Sequence, residues 1–535
     1  MNQKILVKRI SFVLLLLILI SFPSVAFGAV TVMPEPNTDP ELLEVVQKVV
    51  DSFNEIVEKK LNQTFTRDIK IFVCPDRDSY AKVLEKEFEL VKEVAERRAK
   101  FSDGMASVKK NIVAINLDPD DIYDPEYHAY YTTAHELAHQ LQFQLSSNQM
   151  NKTLYWLVEG AADFLAAQIV EEIGYQSLID WKNFQFYIFR NTSNYVMPNQ
   201  ITYIPFDTWE KFIEDQKYPY QVSNLMVFYL VSKTKGNINE AIVDYFKLTA
   251  GDGEDSANFE KCFGIKHQVF LSDVSEWLAQ SNRVLGKLFL DSKGNFDPIP
   301  AISEGFYRSQ EFFQDNYGAY VRSNQKIDIA PERYSFAMEL SKGFGVTRAE
   351  AGKIGMGHSW WSNKNKILMN LDLLPDCKSR VFNTAMMMTS QFQNQQSKAK
   401  LWDNITWFKR GMAHLFAALI TEQAEVNTFE FYHDSWLKEV KEKEVPIILS
   451  DLRSEAEWDQ AVEKYGVSAI NSYTALATQL LMERNELASF SVWLSGASKC
   501  RSSNEAFITA FKISPEDFEI EYIKYLQIKK LLPLD

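Results

Sequence analysis

The chain has 535 residues, of which 46% are hydrophobic and 24% are charged, and its formal net charge is −14. This length exceeds what one ordinary hydrophobic core supports, so two domains are expected, and the composition excludes a disordered or fibrous protein. The strong negative charge disfavours binding to nucleic acid or to anionic membrane surfaces.

The first residues have the pattern of a secretory signal peptide. Lys4, Lys8 and Arg9 form a basic start, residues 12–22 are almost entirely apolar, and Ala26-Phe27-Gly28 offers small residues at a cleavage site. We therefore predict that residues 1–28 are removed during export, and that the protein is secreted or works in the cell envelope. The alternative is an uncleaved anchor, and only then is membrane contact expected.

The next segments predict a small sheet followed by a helical region. Residues 29–38 contain two prolines and are expected to form a linker. Apolar residues at helical spacing over 40–60 predict a helix, and the β-like runs 69–73 and 112–117 predict strands. From about Tyr127 onward the pattern is mainly helical, which favours an α+β fold.

The motif His135-Glu136-Leu137-Ala138-His139 is the main candidate for chemistry. On a helix, positions i and i+4 lie on one face, so both imidazoles can point at one cation. Zinc suits imidazole nitrogen and carboxylate oxygen in a tetrahedral arrangement. Glu136 would then stand beside the remaining coordination position, where it can take a proton from water as a general base. The alternative is a pair of exposed helix histidines.

A third ligand is offered by Trp156-Leu157-Val158-Glu159-Gly160-Ala161-Ala162-Asp163. Glu159 follows the motif at a distance that allows one reversal of the chain and a second helix. Gly160 and the alanines would let the two helices approach closely. Asp163 falls one turn after Glu159 and can accept the free ring N–H of a ligand histidine, His135 being our first choice.

These two motifs together resemble those of the gluzincin metallopeptidases, and most closely the peptidase MA-like group with its Trp-Leu-x-Glu-Gly block. The resemblance covers about residues 65–240. It implies an active-site helix pair beneath a small mixed sheet, one Zn²⁺ ion and hydrolysis of peptide bonds. It also implies that segment 112–117 is the edge strand, to which an extended peptide could pair.

The resemblance further implies a Tyr or His from a later helix that stabilises the oxyanion. Tyr220 is the first candidate, Tyr218 the second and His267 the third, although a helix-start tyrosine can equally be a core residue. Aminopeptidases of this clan carry an acid that binds the substrate amine. The corresponding Gly104-Met105-Ala106-Ser107-Val108 has none, which favours an endopeptidase.

The second half of the chain resembles the first at an offset of 251 residues, which sets Thr133 against Thr384 without gaps through the motif region. Upstream, the same offset sets Gly104-Met105 against Gly355-Met356. Such agreement indicates an internal duplication. We therefore predict a peptidase domain over 39–300 and a degenerate copy over 301–535.

The degenerate copy is expected to bind no metal. At the positions of His135, Glu136, His139, Glu159 and Asp163 it carries Met386, Met387, Ser390, Arg410 and His414. A fixed positive charge in place of a carboxylate would repel a divalent cation. The expected role of this copy is to position substrate or to act as a scaffold.

The sequence as a whole predicts an exported zinc endopeptidase that acts on peptides or proteins. Two other functions are compatible with it: a non-catalytic binding protein that contains zinc, and a zinc hydrolase of non-peptide amides in the cell envelope. Against the first, a structural zinc usually has four protein ligands, and only three are evident.

Overall fold

The structure is a computed structural model that describes residues 28–532, apart from 119–123, 151–152, 193, 205, 252, 282–287, 292–296, 322–324, 364–365, 397–404, 444–446, 497–499 and 501. The predicted signal peptide, residues 1–28, lies outside the described residues except for Gly28. No helix in the described part of the chain combines the length and apolar character needed to cross a membrane.

The chain is a mixed α+β protein, mainly helical, with two small four-stranded mixed sheets. It divides into two compact units. The first comprises the residues up to Ser177 together with Asn194–Glu276, and the second comprises Leu178–Ser193 together with the residues from Trp277 onward. The units therefore differ from the predicted domains, because one helix from the first half of the sequence belongs to the second unit.

The sheet of the first unit contains three parallel strands and one antiparallel strand, in the order β1-β2-β4-β3. Its strands are β1 (Val30–Pro34), β2 (Ile69–Cys74), β3 (Gly104–Ala106) and β4 (Ile112–Asn116). Its helices are α1 (Pro40–Leu61), α2 (Arg77–Lys86), α3 (Lys92–Phe101), α4 (Pro125–Leu145), α5 (Tyr155–Glu172), α7 (Phe206–Glu214), α8 (Pro219–Lys233), α9 (Ile238–Thr249), α10 (Asp255–Phe263) and α11 (His267–Ser281), the last of which continues into the second unit.

The prediction of a linker over residues 29–38 is wrong, because β1 lies within it and pairs in parallel with β2. Val30, Thr31 and Val32 are β-branched and suit a strand. Pro34 ends the strand, and a proline is tolerated there because β1 is at the edge of the sheet.

The prediction that 112–117 is an edge strand is also wrong. β4 lies between β2 and β3, and all five of its residues are buried. A continuous apolar run is typical of a strand covered on both faces. The edge beside the helix pair is instead β3, which comprises only Gly104, Met105 and Ala106.

The second unit has a sheet in the order β5-β6-β8-β7, again with three parallel strands and one antiparallel edge strand. Its strands are β5 (Leu288–Asp291), β6 (Gln325–Ala330), β7 (Trp360–Asn363) and β8 (Lys366–Asn370). Its helices are α6 (Leu178–Asn191), α12 (Ile299–Tyr317), α13 (Arg333–Gly343), α14 (Arg348–Gly357), α15 (Cys377–Gln396), α16 (Thr406–Gln423), α17 (Phe429–Lys443), α18 (Glu455–Tyr465), α19 (Val467–Asn485), α20 (Ala488–Gly496), α21 (Ser503–Phe511) and α22 (Pro515–Ile528).

One detail of the expected internal match is wrong. Gly355-Met356, which the constant offset sets against Gly104-Met105, lies in helix α14. In the sheets, Gly104 pairs with Ile115, whereas Trp360 pairs with Met369. The constant offset of 251 residues therefore does not set strand against strand in this region.

Candidate metal centre

Helix α4 places His135 and His139 one turn apart on a buried face. The helix begins after Asp124, whose side chain accepts a hydrogen bond from the Tyr127 N–H at 3.0 Å, and Pro125 occupies the first turn. This is a favourable start, since proline has no N–H to leave unsatisfied. The Nε2 atoms of the two histidines lie 2.9 Å apart.

Helix α5 brings Glu159 to the same point. Glu159 Oε2 lies 3.6 Å from His135 Nε2 and 3.5 Å from His139 Nε2, and all three side chains are buried. Zinc ligands about 2.1 Å from the ion in tetrahedral geometry are separated by roughly 3.4 Å. The two distances to Glu159 are close to this value, whereas the 2.9 Å between the two histidine nitrogens is shorter. The three side chains therefore form a group able to hold a metal ion.

The Nδ1 atoms of both imidazoles, which face away from Glu159, donate hydrogen bonds to neighbouring side chains. His135 Nδ1 donates to Asp163 Oδ1 at 2.6 Å, which is the contact expected from the sequence spacing. His139 Nδ1 donates to Gln142 Oε1 at 2.9 Å, and the orientation of that amide is fixed because Gln142 Nε2 donates to the Val158 carbonyl at 2.8 Å. In the neutral imidazoles, both Nε2 atoms therefore carry lone pairs.

The three atoms that face one another therefore all carry lone pairs and no proton. Two nitrogen lone pairs and one carboxylate oxygen converge in a buried space, an arrangement that requires a cation or added protons between them. Burial alone would lower the pKa of both histidines, but Asp163 holds the pKa of His135 well above its ordinary value and Glu159 raises that of His139. Burial would likewise raise the pKa of Glu159, but His139 and His135 keep it well below the ordinary value.

Glu136 stands beside this group on the side of strand β3. It is buried, and its Oε2 makes no hydrogen bond to the described residues. Burial raises its pKa, although the two histidines act in the opposite direction. A Cβ added at Gly104 would lie 2.6 Å from Glu136 Oε1, so only glycine leaves room for this carboxylate. A buried carboxyl with a raised pKa can act as a general base.

Two tyrosines lie close to this group, Tyr220 near His135 and Tyr155 near Glu159. The ring of Tyr220, at the start of α8, lies 6.4 Å from the ring of His135 and 5.2 Å from that of Trp209. Burial and the Glu159 carboxylate hold the pKa of Tyr220 well above its ordinary value, so its hydroxyl stays protonated and can donate a hydrogen bond. Tyr155 precedes Glu159 by one turn, and its ring lies 5.0 Å from Trp209.

The other oxyanion candidates differ in position. Tyr218 is the residue before α8 and has left-handed backbone geometry, with φ 50°. His267 packs against aromatic rings, 5.1 Å from Phe259 and 6.2 Å from Tyr203, and burial lowers its pKa to about 4. Of the three candidates, Tyr220 is the one whose ring contacts His135.

At the positions 251 residues later in the sequence, the described side chains form no such cluster. Met387 is buried in the core, and Ser390 donates to the carbonyl of Met386. Arg410 forms an ion pair with Glu455 at 2.9 Å, and the His414 ring nitrogen contacts the Arg410 carbonyl. Among the described residues, His135, His139 and Glu159 are the group able to hold a metal ion.

Three residues of the site were not identified from the sequence. Gln142 could have been found, since it lies three residues after His139 on a helix and can reach that ring. Tyr155 could have been found in the same way, four residues before Glu159. Gly104 could not, because its role depends on the register of β3 above α4.

No protein-family model, curated protein or solved structure matches the chain.

Proposed function

We propose that this protein is an exported zinc metallopeptidase of the gluzincin type, with the metal held by His135, His139 and Glu159. The observation that carries the proposal is the convergence of two imidazole lone pairs and one carboxylate in a buried space. The ligand set, two histidines and a glutamate with one corner left open, is that of a catalytic zinc site rather than a structural one.

In this proposal Glu136 transfers the proton during hydrolysis and Tyr220 stabilises the oxyanion. Zinc bound here would supply a Lewis acid that lowers the pKa of a water molecule. Glu136 would accept a proton from the attacking water molecule as the water oxygen bonds to the substrate carbonyl carbon. It would then deliver the proton to the departing amine nitrogen as the C–N bond breaks. Tyr220 donates a hydrogen bond to the carbonyl oxygen as it gains negative charge.

The substrate we infer is an extended peptide cleaved internally. The antiparallel edge strand β3 lies beside Glu136 and can pair with such a chain. No acid occurs in Gly104, Met105 or Ala106 that would bind a free amine, which favours an endopeptidase.

We also infer that the second unit is a degenerate copy of the first. Both sheets have the same strand order and the same mixture of directions. Gln142 donates to the Val158 carbonyl, and Gln393 donates to the Lys409 carbonyl, both pairs being related by the offset of 251. The copy keeps the packing of the fold and has lost the metal ligands, so its role is to position substrate or to support the catalytic unit.

The test is hydrolysis of a peptide library by the zinc-loaded full chain, with and without a chelator, alongside Glu136→Gln. We expect cleavage that disappears with chelator and returns with zinc. Glu136→Gln should lose activity by about 10²–10⁴-fold, the range for a general base, while binding as much zinc as the wild type.

The other functions predict different results. A non-catalytic protein with structural zinc would cleave nothing, and Glu136→Gln would change nothing. A hydrolase of non-peptide amides would leave the whole library intact but cleave cell-envelope amides in a zinc-dependent way.

A further inference from the structure

Trp209, on helix α7, contacts both tyrosines of the candidate site. Its ring centroid is 5.2 Å from that of Tyr220, and the two ring planes are nearly perpendicular, at 89°. Its ring centroid is also 5.0 Å from that of Tyr155. Trp209 is fully buried, so it can act on a substrate only through the residues that it contacts.

No described residue completes a hydrogen bond with the indole N–H of Trp209, although Nε1 is buried. An unpaired buried donor of this kind is uncommon and costs stability, so its position calls for a functional explanation. The Tyr220 hydroxyl oxygen is the acceptor that this N–H approaches, without reaching full hydrogen-bond geometry.

Tyr220 is placed to use such a hydrogen bond. It is half-buried, and its ring lies 6.4 Å from that of His135, where we propose that it donates to the substrate carbonyl oxygen. A phenol has one proton to donate, and its oxygen can accept a hydrogen bond at the same time. An oxygen that accepts from Trp209 directs its own proton away from the indole. The hydroxyl also becomes a stronger donor, because successive hydrogen bonds polarise one another.

We propose that Trp209 is a positioning residue for the tyrosine that stabilises the oxyanion. Its N–H donates to the Tyr220 oxygen as the substrate carbonyl gains negative charge, and the Tyr220 proton is thereby aimed at the carbonyl oxygen. This inference rests on the proposed peptidase function. Catalytic hydrogen bonds are often long in a free enzyme and tighten only in the complex with substrate, which agrees with the incomplete contact in the free protein.

The test removes the indole N–H and measures peptide cleavage by the zinc-loaded full chain. Trp209→Phe keeps an aromatic ring, and Trp209→3-benzothienylalanine keeps the shape of the indole with sulfur in place of the N–H. The second variant preserves the packing even where the smaller phenyl ring does not. Both should lower kcat by about tenfold, as for the loss of one hydrogen bond. KM and zinc content should stay unchanged, since the bond is completed only as the reaction proceeds.

A double-mutant comparison separates positioning from packing. Tyr220→Phe removes the hydroxyl on which Trp209 is proposed to act, so Trp209→Phe should lower kcat no further in that background. A tryptophan that only packs the site would lower kcat by the same factor in both backgrounds.

Trp493→Phe is the matched control. Trp493 is also fully buried and packs against aromatic rings, with its centroid 5.3 Å from that of Phe408, but it belongs to the second unit. This variant should keep the wild-type kcat.

The outcomes separate this inference from the proposed function. If peptides are cleaved but both variants at position 209 keep the wild-type kcat, or lower it equally with and without the Tyr220 hydroxyl, the role of Trp209 is wrong while the peptidase proposal stands. If the zinc-loaded wild type cleaves no peptide at all, the peptidase proposal fails and the inference fails with it.

Discussion

At the metal centre, the two histidines are held by acceptors of different kinds. His135 donates to a carboxylate, Asp163, whereas His139 donates to an amide, Gln142. A carboxylate partner raises the basicity of an imidazole more than an amide does, and both partners fix the orientation of the ring. The amide has a second task, since Gln142 also bonds the backbone of the helix that carries Glu159.

Replacing Gln142 by Leu should therefore weaken zinc binding. The change removes the acceptor for His139 Nδ1 and the link to the Val158 carbonyl, and losing such a partner typically costs about 10–100-fold in metal affinity. Competition with a chromogenic chelator measures the affinity. Gln393→Leu is the matched control, because it removes the equivalent bond to the Lys409 carbonyl in the second unit and should leave zinc affinity unchanged.

Adding one methyl group at Gly104 should impair catalysis without removing the metal. The new Cβ would lie 2.6 Å from Glu136 Oε1 and 2.7 Å from its Cγ, so the carboxylate must move. A misplacement of about 1 Å costs on the order of 10²-fold in rate. The rate of peptide cleavage and the zinc content are the measurements for Gly104→Ala.

Gly352→Ala is the control for this change. Gly352 lies in helix α14, and a Cβ there meets nothing within 4 Å. It should cleave peptides at the wild-type rate. A Gly104→Ala protein with wild-type activity would show that Glu136 does not need its observed position.

At the residue scale, part of the candidate site could be predicted from the sequence. His135, His139, Glu159 and Asp163 could be selected because each lies at helical spacing from a partner or in a short motif. Gly104 could not be selected, since the crowding at its Cα is set by a strand whose register over α4 is a long-range property.

In each unit two helices cross at a glycine, and in the first unit they are α5 and α8 rather than the α4–α5 pair for which the sequence predicted this role of Gly160. A Cβ at Gly160 would lie 2.6 Å from the Ser223 carbonyl oxygen, and a Cβ at Gly411 would lie 2.3 Å from the Thr474 carbonyl oxygen. Both contacts are with backbone, which cannot move aside easily. Each glycine therefore sets the distance between its helix, α5 or α16, and the neighbouring helix, α8 or α19.

Alanine at either glycine should destabilise the protein by about 1–3 kcal/mol, the usual cost of overpacking a close contact. Urea unfolding measures the loss. The two variants should differ in a second measurement, because Gly160 adjoins Glu159: Gly160→Ala should also lower zinc affinity, while Gly411→Ala should not. Equal zinc affinities would mean that helix spacing does not position Glu159.

Among the elements, the sequence indicated the helices well and the strands less well. Helix α4 begins with Asp124 and Pro125, signals that are local in the chain. Strand β3 has only three residues and no alternation to recognise, and the prolines near β1 obscured its β-branched residues. Which strand forms the edge is decided by pairing between distant segments, so it could not be derived from one run of residues.

On the scale of the whole molecule, helix α6 belongs to the second unit although it directly follows α5 in the sequence. Arg190 on α6 forms an ion pair with Glu304 at 2.9 Å, and the two side chains are 2% and 0% exposed. Arg308 bonds the other oxygen of Glu304 at 2.6 Å. The partner of Arg190 lies 114 residues later, so no local sequence pattern predicted that α6 belongs to the second unit.

This buried pair should make the second unit sensitive to acid. Burial alone would raise the pKa of Glu304, but Arg308 and Arg190 lower it to about 2. A carboxyl whose pKa falls on folding contributes stability above its unfolded value, near 4.5, and that contribution is lost as the pH falls towards 2. The difference corresponds to about 3 kcal/mol.

Unfolding free energies measured between pH 6 and pH 2.5 test this point. The wild type should lose stability below pH 4.5. Glu304→Gln should be less stable at pH 6, because it leaves the two guanidiniums without their buried partner, and should lose less on acidification. Identical pH profiles for the two proteins would rule out this role for Glu304.

The most direct test of the whole account is the zinc content of the purified full chain after dialysis, for the wild type, His139→Ala, Glu159→Ala and His414→Ala. The account predicts about one zinc ion per chain in the wild type and in His414→Ala, and almost none in the other two. A wild type that retains no zinc after loading, or full zinc content in both His139→Ala and Glu159→Ala, would contradict it.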